Sequence, residues 1–326
     1  METITLPELY CPFEPTLHSS ADAMSEESIA WAIRLKMITE QRVVQTVRGV
    51  QFGLLVGQAY PHVSLSALRF ISDWSIWLLL WDDICGEPGT CDQPRKQAAM
   101  HRHLLDILNG ADTTDSDYPL AHGLYDLRQR MKGQLSVMNM QRFICAVVDS
   151  FYASVWEADN RAHKRIPDIT VYLQKRSLTC AFFTYLEIFE LTHGSSLSQE
   201  TQQHIAVREL SLKANNIICW CNDIISYRKE VHQGDIHNLV LLSQHTYNLD
   251  LQDAIEHVAD LHDAEVYAFI RLESSLPALG LIMSTDLEQY LSLLRSWMSA
   301  NLHWSLLSGR YQPSAREKEI GKEKTS

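Results

Sequence analysis

Glycine and proline are scarce in this sequence of 326 residues. There are 13 glycines and 10 prolines, about 4% and 3% of the chain, where averages are near 7% and 5%. No proline lies between Pro167 and Pro277, and this stretch has apolar residues at helical spacing without sustained alternation of polar and apolar positions. So few chain-breaking residues favour long helices, and the sequence predicts an all-α protein.

The sequence also lacks a cysteine pattern that would bind a metal ion or form a disulfide framework. The 7 cysteines are scattered, odd in number, and none forms a CxxC pair. Cys219 and Cys221 would point to different faces of a helix. This distribution disfavours a zinc knuckle or a disulfide-stapled fold and is typical of a reducing compartment.

No segment has the form of a membrane span or of a secretory signal. The longest apolar run covers residues 76–81, far short of the roughly 20 residues that a spanning helix needs. The first residues, METITLPELY, have no basic region followed by an apolar core. We therefore expect a cytoplasmic protein without a membrane span.

Basic residues are outnumbered by acidic ones. There are 28 Lys and Arg against 40 Asp and Glu, so the formal net charge is −12. Nucleic acids and anionic membrane surfaces bind proteins through basic faces. The charge therefore argues against either as the main partner.

The pattern along the chain predicts a single domain over residues 1–311. Residues 1–20 contain three prolines and are expected to be extended, and the charged tail 312–326 is predicted to be disordered because it lacks an apolar face. No linker or repeat divides the rest, which we interpret as a bundle of about ten or more helices. Helical patterns cover residues 25–48, 64–84, 94–108, 119–133, 137–163, 168–192, 199–231, 249–274 and 283–307.

An acidic pair follows an aromatic helix near residue 80. Trp74, Trp77 and Trp81 recur at helical spacing, and Asp82 and Asp83 come within the next turn. Adjacent carboxylates resist joint ionisation unless a cation lies between them, and hard ions such as Mg²⁺ are bound by one or two carboxylates plus phosphate oxygens. The alternative is a solvated acidic helix end with a tryptophan core stripe behind it.

A second polar set lies on one predicted helix face. Asn222, Ser226 and Glu230 stand at positions i, i+4 and i+8, so they fall within about 80° around the helix. An amide, a hydroxyl and a carboxylate form an all-oxygen ligand set that suits Mg²⁺ and excludes soft metals. The alternative is a polar face with i,i+4 pairs.

The string from Asn222 to Glu230, about 140 residues after Asp82 (222 − 82), resembles a motif of class I terpene synthases of the short microbial type. The resemblance covers nearly the whole chain. The acidic motif resembles the longer spelling DDxxxE of the family's Asp-rich motif, with Glu87 as its third carboxylate, and departs from the commoner DDxxD. The resemblance implies metal ligands at Asp82, Asp83, Glu87, Asn222, Ser226 and Glu230.

Two further motifs of the family match this chain. Its diphosphate-sensing arginine precedes the asparagine by 46 residues, which gives Arg176 (222 − 46), and its linker and effector positions then fall on Thr179 and Cys180. Its C-terminal Arg-Tyr pair, after a tryptophan-bearing helix, corresponds to Arg310 and Tyr311. The motifs occur in the family's order and spacing.

The resemblance implies a helical bundle around a central active-site cavity. It implies that a prenyl diphosphate, expected to be farnesyl diphosphate, is ionised with the aid of three Mg²⁺ ions. Cyclisation of the resulting carbocation would then give a sesquiterpene. A backbone carbonyl at Cys180 would assist ionisation. The expected donors to the diphosphate are Arg176, Lys229, Arg310 and Tyr311. The expected aromatic lining, which would stabilise the carbocation, is Trp77, Trp81, Phe182, Phe183 and Trp304.

Two other functions are compatible with the same helical pattern. A chain-elongating prenyltransferase would carry a second Asp-rich motif, which the Asn-Ser-Glu string replaces here. A non-catalytic helical binding protein of the same fold would have lost ligand residues, whereas every expected ligand type is present. A homodimer is an expectation drawn from relatives.

Overall fold

Helices make up the architecture of this chain. The computed structural model describes residues 4–114 and 117–311, and within these ranges it contains fifteen α-helices, one 3₁₀ helix at Leu276–Leu279 and no strand. The all-α prediction is confirmed. In chain order the α-helices are α1 (Ala21–Arg34), α2 (Gln41–Val50), α3 (Phe52–Ala59), α4 (Leu65–Gly86), α5 (Pro94–Leu108), α6 (Pro119–Met131), α7 (Val137–His163), α8 (Ile169–Thr179), α9 (Phe182–Glu187), α10 (Phe189–His193), α11 (Gln199–Gln203), α12 (Ile205–Gln233), α13 (Leu239–Tyr247), α14 (Leu251–Ser275) and α15 (Thr285–Leu307).

Two predicted helices are broken by residues with a left-handed backbone. The predicted helix 25–48 is α1 and α2, separated by a loop in which Lys36 has φ of 59°. The predicted helix 168–192 is α8, α9 and α10, with φ of 56° at Ala181. Glycine is the usual sequence mark of such a break, and neither position is a glycine. The two single-helix predictions are therefore wrong.

A third predicted helix, 199–231, divides at His204. The backbone there is extended, with φ −61° and ψ 131°, and the imidazole Nδ1 accepts a hydrogen bond from the Ala206 amide at the start of α12. The sequence analysis also missed α13, which follows α12 after a short turn. Its N-terminus is capped by Asn238.

The N-terminal segment lies along α14 without forming a helix or a strand. This holds for residues 4–18, as predicted for residues 1–20. The Tyr10 amide donates to Asp263 Oδ1 at 2.9 Å, and the Tyr10 ring stacks on Tyr267 at 4.7 Å between centroids. The tail 312–326 lies outside the described residues, so its predicted disorder and the single-domain boundary stay predictions.

The core is built around α4. Trp74 and Trp77 have no exposed surface, and their rings stack at 5.2 Å. Both indole N–H groups are satisfied: Trp74 donates to Thr184 Oγ1 at 3.0 Å and Trp77 to the Leu120 carbonyl at 2.8 Å. Buried indoles need such partners. The helix is therefore held firmly, and it carries Asp82 and Asp83 at its C-terminal end.

None of the helices in the described part of the chain is long and apolar enough to cross a membrane.

Close approach of α1 and α3 depends on glycine. Gly53 and Gly57 are one turn apart on α3, and both face Ala21 at the start of α1. A Cβ at Gly53 would lie 2.8 Å from the Ala21 carbonyl oxygen, which is a backbone atom and cannot turn aside. By contrast, a Cβ at Gly49 in α2 would have no atom within 4 Å.

We expect Gly53→Ala to destabilise the protein by roughly 1–3 kcal/mol, because overpacking forces the helices apart. The control Gly49→Ala should leave stability unchanged or raise it by up to about 1 kcal/mol, since alanine favours the helix. Denaturant unfolding followed by circular dichroism measures both. Equal effects of the two substitutions would contradict the proposed contact.

Candidate active site

The acidic pair meets the C-terminal arginine. Arg310 donates to Asp82 Oδ2 at 2.9 Å and to Asp83 Oδ1 at 3.3 Å. The side chain of Arg310 is 15% exposed, whereas those of Asp82 and Asp83 are 62% and 46% exposed. Two segments separated by more than 200 residues thus meet at the C-terminal end of α4.

Burial and charge compete at this end of α4. Burial raises the pKa of Asp83, while the Arg310 charge opposes that rise. Burial and then the Arg310 charge lower the pKa of Lys229, which lies among the same groups. Burial works to lower the pKa of Arg310 too, but Asp82, Tyr311 and Asp83 together outweigh it and the net shift is upward. The arginine therefore stays charged beside two carboxylates.

A second arginine bridges α8 and α12. Arg176 Nε donates to Asp223 Oδ1 at 2.9 Å, one terminal nitrogen donates to Asn222 Oδ1 at 2.8 Å, and the other to Thr179 Oγ1 at 3.2 Å. Burial alone would lower the pKa of Arg176, but Asp223 holds it well above its usual value. Arg176 and Asn222, which are 46 residues apart in the sequence, are thus in direct contact.

Asn222 connects the two arginine segments. Its oxygen accepts from Arg176, and its amide nitrogen donates to the Tyr311 hydroxyl at 2.7 Å. Tyr311 is next to Arg310 in the chain, and Arg310 contacts the acidic pair of α4. A continuous series of contacts therefore joins α8, α12, the C-terminal segment and α4. The four motifs predicted from the sequence are thus brought to one place.

The remaining two members of the Asn-Ser-Glu set face each other along α12. Ser226 donates to Glu230 Oε1 at 2.8 Å. Burial raises the pKa of the Glu230 carboxyl to about 7, with the Asp223 charge adding to the rise and hydrogen bonds from Asn238 and Ser226 opposing it. A cation bound here would favour the ionised form.

The donor chemistry at this site fits a hard divalent cation. In the described ranges no three His, Cys, Asp or Glu side chains lie close enough together to hold a metal ion. The site suits such a cation because its oxygen ligands are of mixed types. Asn222, Ser226 and Glu230 lie on α12, and the two carboxylates lie at the end of α4. Such sets leave open positions for substrate oxygens and water.

Glu87 lies just beyond the helix that carries the acidic pair. Helix α4 ends at Gly86, and Glu87 is its exposed C-cap with an extended backbone, φ −70° and ψ 147°. Helical alignment with Asp83 is therefore lost at this residue. Its role as a third ligand stays a prediction.

The α8–α9 break lies next to Arg176. Thr179 ends α8, Cys180 keeps a right-handed backbone, and Ala181 turns left-handed before α9 begins. Cys180 is half-buried, as is Thr179. The linker and effector positions expected from the sequence therefore fall on a real interruption of the helix.

The five aromatic candidates are distributed between the core and the site. Trp77 and Trp81 are buried, and Trp81 donates to His101 Nε2 at 3.0 Å. Phe182 packs edge-on against Trp297, and Phe183 beside it is half-buried. Trp304 contacts Tyr311 edge-on at 5.6 Å. Trp304 thus contacts a residue of the predicted site, whereas Trp77 packs in the core. The lining role of all five stays a prediction.

Sequence reasoning gave no role to two buried residues of the site. Asp223 lies within the string from Asn222 to Glu230 and has no role in the predicted ligand set, although a charged residue between Asn222 and Ile224 is an apparent signal. Asn238 had no signal, because it lies on a turn whose position was not predicted. Both are fully buried and hydrogen-bonded to site residues.

Comparisons with known proteins agree with this geometry. Residues 73–267 match the family model "Terpene synthase family 2, C-terminal metal binding". The chain is 35% identical to a (+)-T-muurolol synthase of Roseiflexus castenholzii, over 96% of this chain and 95% of that protein. It is 32% identical to a germacrene A synthase of Nostoc punctiforme, over 95% and 96%. A linalool/nerolidol synthase structure from Streptomyces clavuligerus superposes with a TM-score of 0.79 at 21% identity, over 92% and 100%.

The raised pKa of Glu230 predicts a pH-dependent stability without metal. The folded-state pKa, about 7, lies above the ordinary glutamate value of 4.5, so this group's contribution to stability is complete below about pH 4.5 and is lost as the pH rises through 7. We expect the free energy of unfolding of Glu230→Gln, relative to wild type, to rise by about 3 kcal/mol between pH 4.5 and pH 8.

Urea unfolding in the presence of a chelator measures this difference. Glu209→Gln removes an exposed carboxylate from the same helix and controls for the loss of one charge. A difference for Glu230→Gln that does not change with pH would contradict burial as the source of the shift.

Proposed function

The chain belongs to terpene synthase family 2, and we propose that it is a sesquiterpene synthase. In this proposal it ionises farnesyl diphosphate with the aid of Mg²⁺, directs cyclisation of the carbocation and releases diphosphate. The Roseiflexus relative is a farnesyl diphosphate cyclising enzyme by its name, as is a 4-epi-cubebol synthase that is 28% identical over 96% of this chain.

One observation carries the proposal: the contacts that link Arg176, Asn222, Tyr311, Arg310 and Asp82. They place two arginines and a phenol hydroxyl beside two sets of oxygen ligands. Guanidinium groups match the geometry of phosphate oxygens and stay charged. The arrangement is therefore suited to a small, highly anionic leaving group.

The metal ions expected here number three, held between the carboxylates of α4 and the α12 set of Asn222, Ser226 and Glu230. Bound Mg²⁺ would neutralise charge on the leaving diphosphate as a Lewis acid. The protein's own part is to hold the ligands on two rigid helices and to donate hydrogen bonds. Arg176 would bind the diphosphate from α8, while Arg310 and Lys229 would bind it from the other side.

The carbocation would need a surface that stabilises positive charge without reacting with it. Aromatic faces contribute roughly 0.5–2 kcal/mol per contact, and the Cys180 carbonyl, at the helix break that follows Arg176, would assist ionisation. Of the aromatic candidates, Trp304 is supported by its contact with Tyr311. Trp77, Trp81, Phe182 and Phe183 are proposed as lining from the resemblance alone.

The two other functions fit the site less well. A chain-elongating prenyltransferase would present acidic ligands from α12 where this chain has Asn222 and Ser226. A non-catalytic binding protein would have no reason to keep both arginines paired to the ligand residues. Self-association as a homodimer is a separate proposal, since it rests on relatives alone.

Incubation with farnesyl diphosphate and Mg²⁺ tests the function directly. We expect volatile C15 hydrocarbons or alcohols by gas chromatography, together with stoichiometric diphosphate, and neither product in a chelator. Addition of isopentenyl diphosphate should give no longer-chain diphosphate, which separates this enzyme from a prenyltransferase. No release of diphosphate from any C10, C15 or C20 substrate would refute the proposal.

Two substitutions locate the chemistry. Arg310→Ala removes the donor shared by Asp82 and Asp83, and Asn222→Ala removes both a metal ligand and the link to Tyr311. We expect each to abolish turnover, a loss of at least about 100-fold, with helix content unchanged by circular dichroism. Arg208→Ala, an exposed arginine on α12, is the matched control and should retain activity.

A further inference from the structure

Asn238 caps α13 from a fully buried position. Its side-chain oxygen accepts hydrogen bonds from the Val240 amide at 2.8 Å and the Leu241 amide at 3.4 Å, and the residue has no exposed surface. Backbone amides are donors only, so the atom that meets them must be the carbonyl oxygen. This fixes the orientation of the amide group.

The amide nitrogen of Asn238 therefore faces the metal-ligand helix. It donates to Glu230 Oε2 at 2.6 Å and to the Asp223 carbonyl at 2.8 Å, so both N–H bonds are used. Ser226 donates to the other oxygen of Glu230 at 2.8 Å. Each carboxylate oxygen thus has one donor that fixes its direction and keeps a further lone pair for a ligand.

The turn that carries Asn238 is itself anchored on two other helices. Arg161 of α7 contacts Asp235 at 2.7 Å, and the Tyr172 hydroxyl of α8, which donates to Asp223, also lies 3.2 Å from the His237 carbonyl. The Leu239 amide donates to Asp223 Oδ2 at 2.9 Å. A donor held this firmly resists displacement when the carboxylate would otherwise rotate.

We propose that Asn238 is a positioning residue, which holds the Glu230 carboxylate in the orientation that binds a divalent cation. Glu230 lies in the last turn of α12, and within that helix only Ser226 donates to its carboxylate. Without Asn238 that single bond to Oε1 would remain, and the carboxylate could rotate about it. This inference rests on the proposed function, because it takes Glu230 as a metal ligand.

A conservative substitution separates positioning from capping. Aspartate caps helices as well as asparagine does, so Asn238→Asp keeps the bonds to α13. It replaces the N–H donors by an oxygen that faces the Glu230 carboxylate. Asn238→Ala removes both functions. Asp250 caps α14 through the Asp253 amide at 2.8 Å, far from Glu230 in sequence, and Asp250→Asn is the matched control for an exchange at a cap.

The experiment measures cation binding as well as activity. Mn²⁺ is titrated into each full-length protein at pH 8 with inorganic diphosphate present, and bound ion is followed by electron paramagnetic resonance and calorimetry. We expect Asn238→Asp to bind about 10–100-fold more weakly, the usual effect of losing a partner of a metal ligand. Its melting temperature should fall, because the new carboxylate is buried facing Glu230 without a donor, and excess Mg²⁺ should restore part of the turnover. Asn238→Ser, which adds no charge, should show the same loss of affinity with a smaller fall in melting temperature. Asp250→Asn should match wild type in both respects.

Each outcome decides between the claims. Wild-type affinity in Asn238→Asp overturns the inference and leaves the proposed function standing. No cation binding by the wild-type protein, with no diphosphate released from farnesyl diphosphate, overturns both. If Asn238→Asp does not fold, Asn238→Ser takes its place, because serine caps α13 but is too short to reach Glu230.

Discussion

The carboxylate of Asp223 lies at the centre of the hydrogen bonds that shape this site. It is fully buried and accepts from Arg176 at 2.9 Å, from the Tyr172 hydroxyl at 2.7 Å and from the Leu239 amide at 2.9 Å. A buried carboxylate requires charge compensation and hydrogen bonds together. Here one cation and two neutral donors supply them. Because these donors belong to α8 and α13 and Asp223 itself to α12, satisfying this one charge fixes how three helices meet.

The net charge of the chain and the local charge at the site lead to different expectations about binding. A net charge of −12 disfavours an anionic partner at long range, yet the proposed substrate carries a diphosphate. Arg310 contacts both Asp82 and Asp83 and offsets their repulsion. In the proposed function, a divalent cation at the same carboxylates would free the guanidinium to bind phosphate oxygens. Binding of the diphosphate would then depend on the metal, because without it the acidic residues would repel the substrate.

Residues that recur at helical spacing could be placed from the sequence. Asn222, Ser226 and Glu230 could be placed on one face because a single helix carries them, and the position of Arg176 followed from a family spacing. The breaks at Lys36 and Ala181 could not be predicted, since each is imposed by packing on a residue that carries a side chain. Asn238 was missed for a related reason: its importance comes from a contact across a turn, and helical periodicity contains no information about such contacts.

The break between α2 and α3 shows how an unpredicted feature serves the site. Gln51 adopts φ of 57°, so α2 ends at Val50 and leaves carbonyls without partners inside the helix. The last turn of α15 and the segment after it satisfy them: Trp304 and Ser308 donate to the Val50 carbonyl at 2.6 and 2.9 Å, and the Gly309 amide donates to the Gly49 carbonyl at 2.9 Å.

Arg310 and Tyr311 follow directly. A helix end near the start of the domain thus provides the acceptors that hold the C-terminal arginine and tyrosine. The hydrogen-bonding requirement of a terminated helix thus sets the start of the final segment, and the contacts of Tyr311 with Asn222 and of Arg310 with Asp82 set its end.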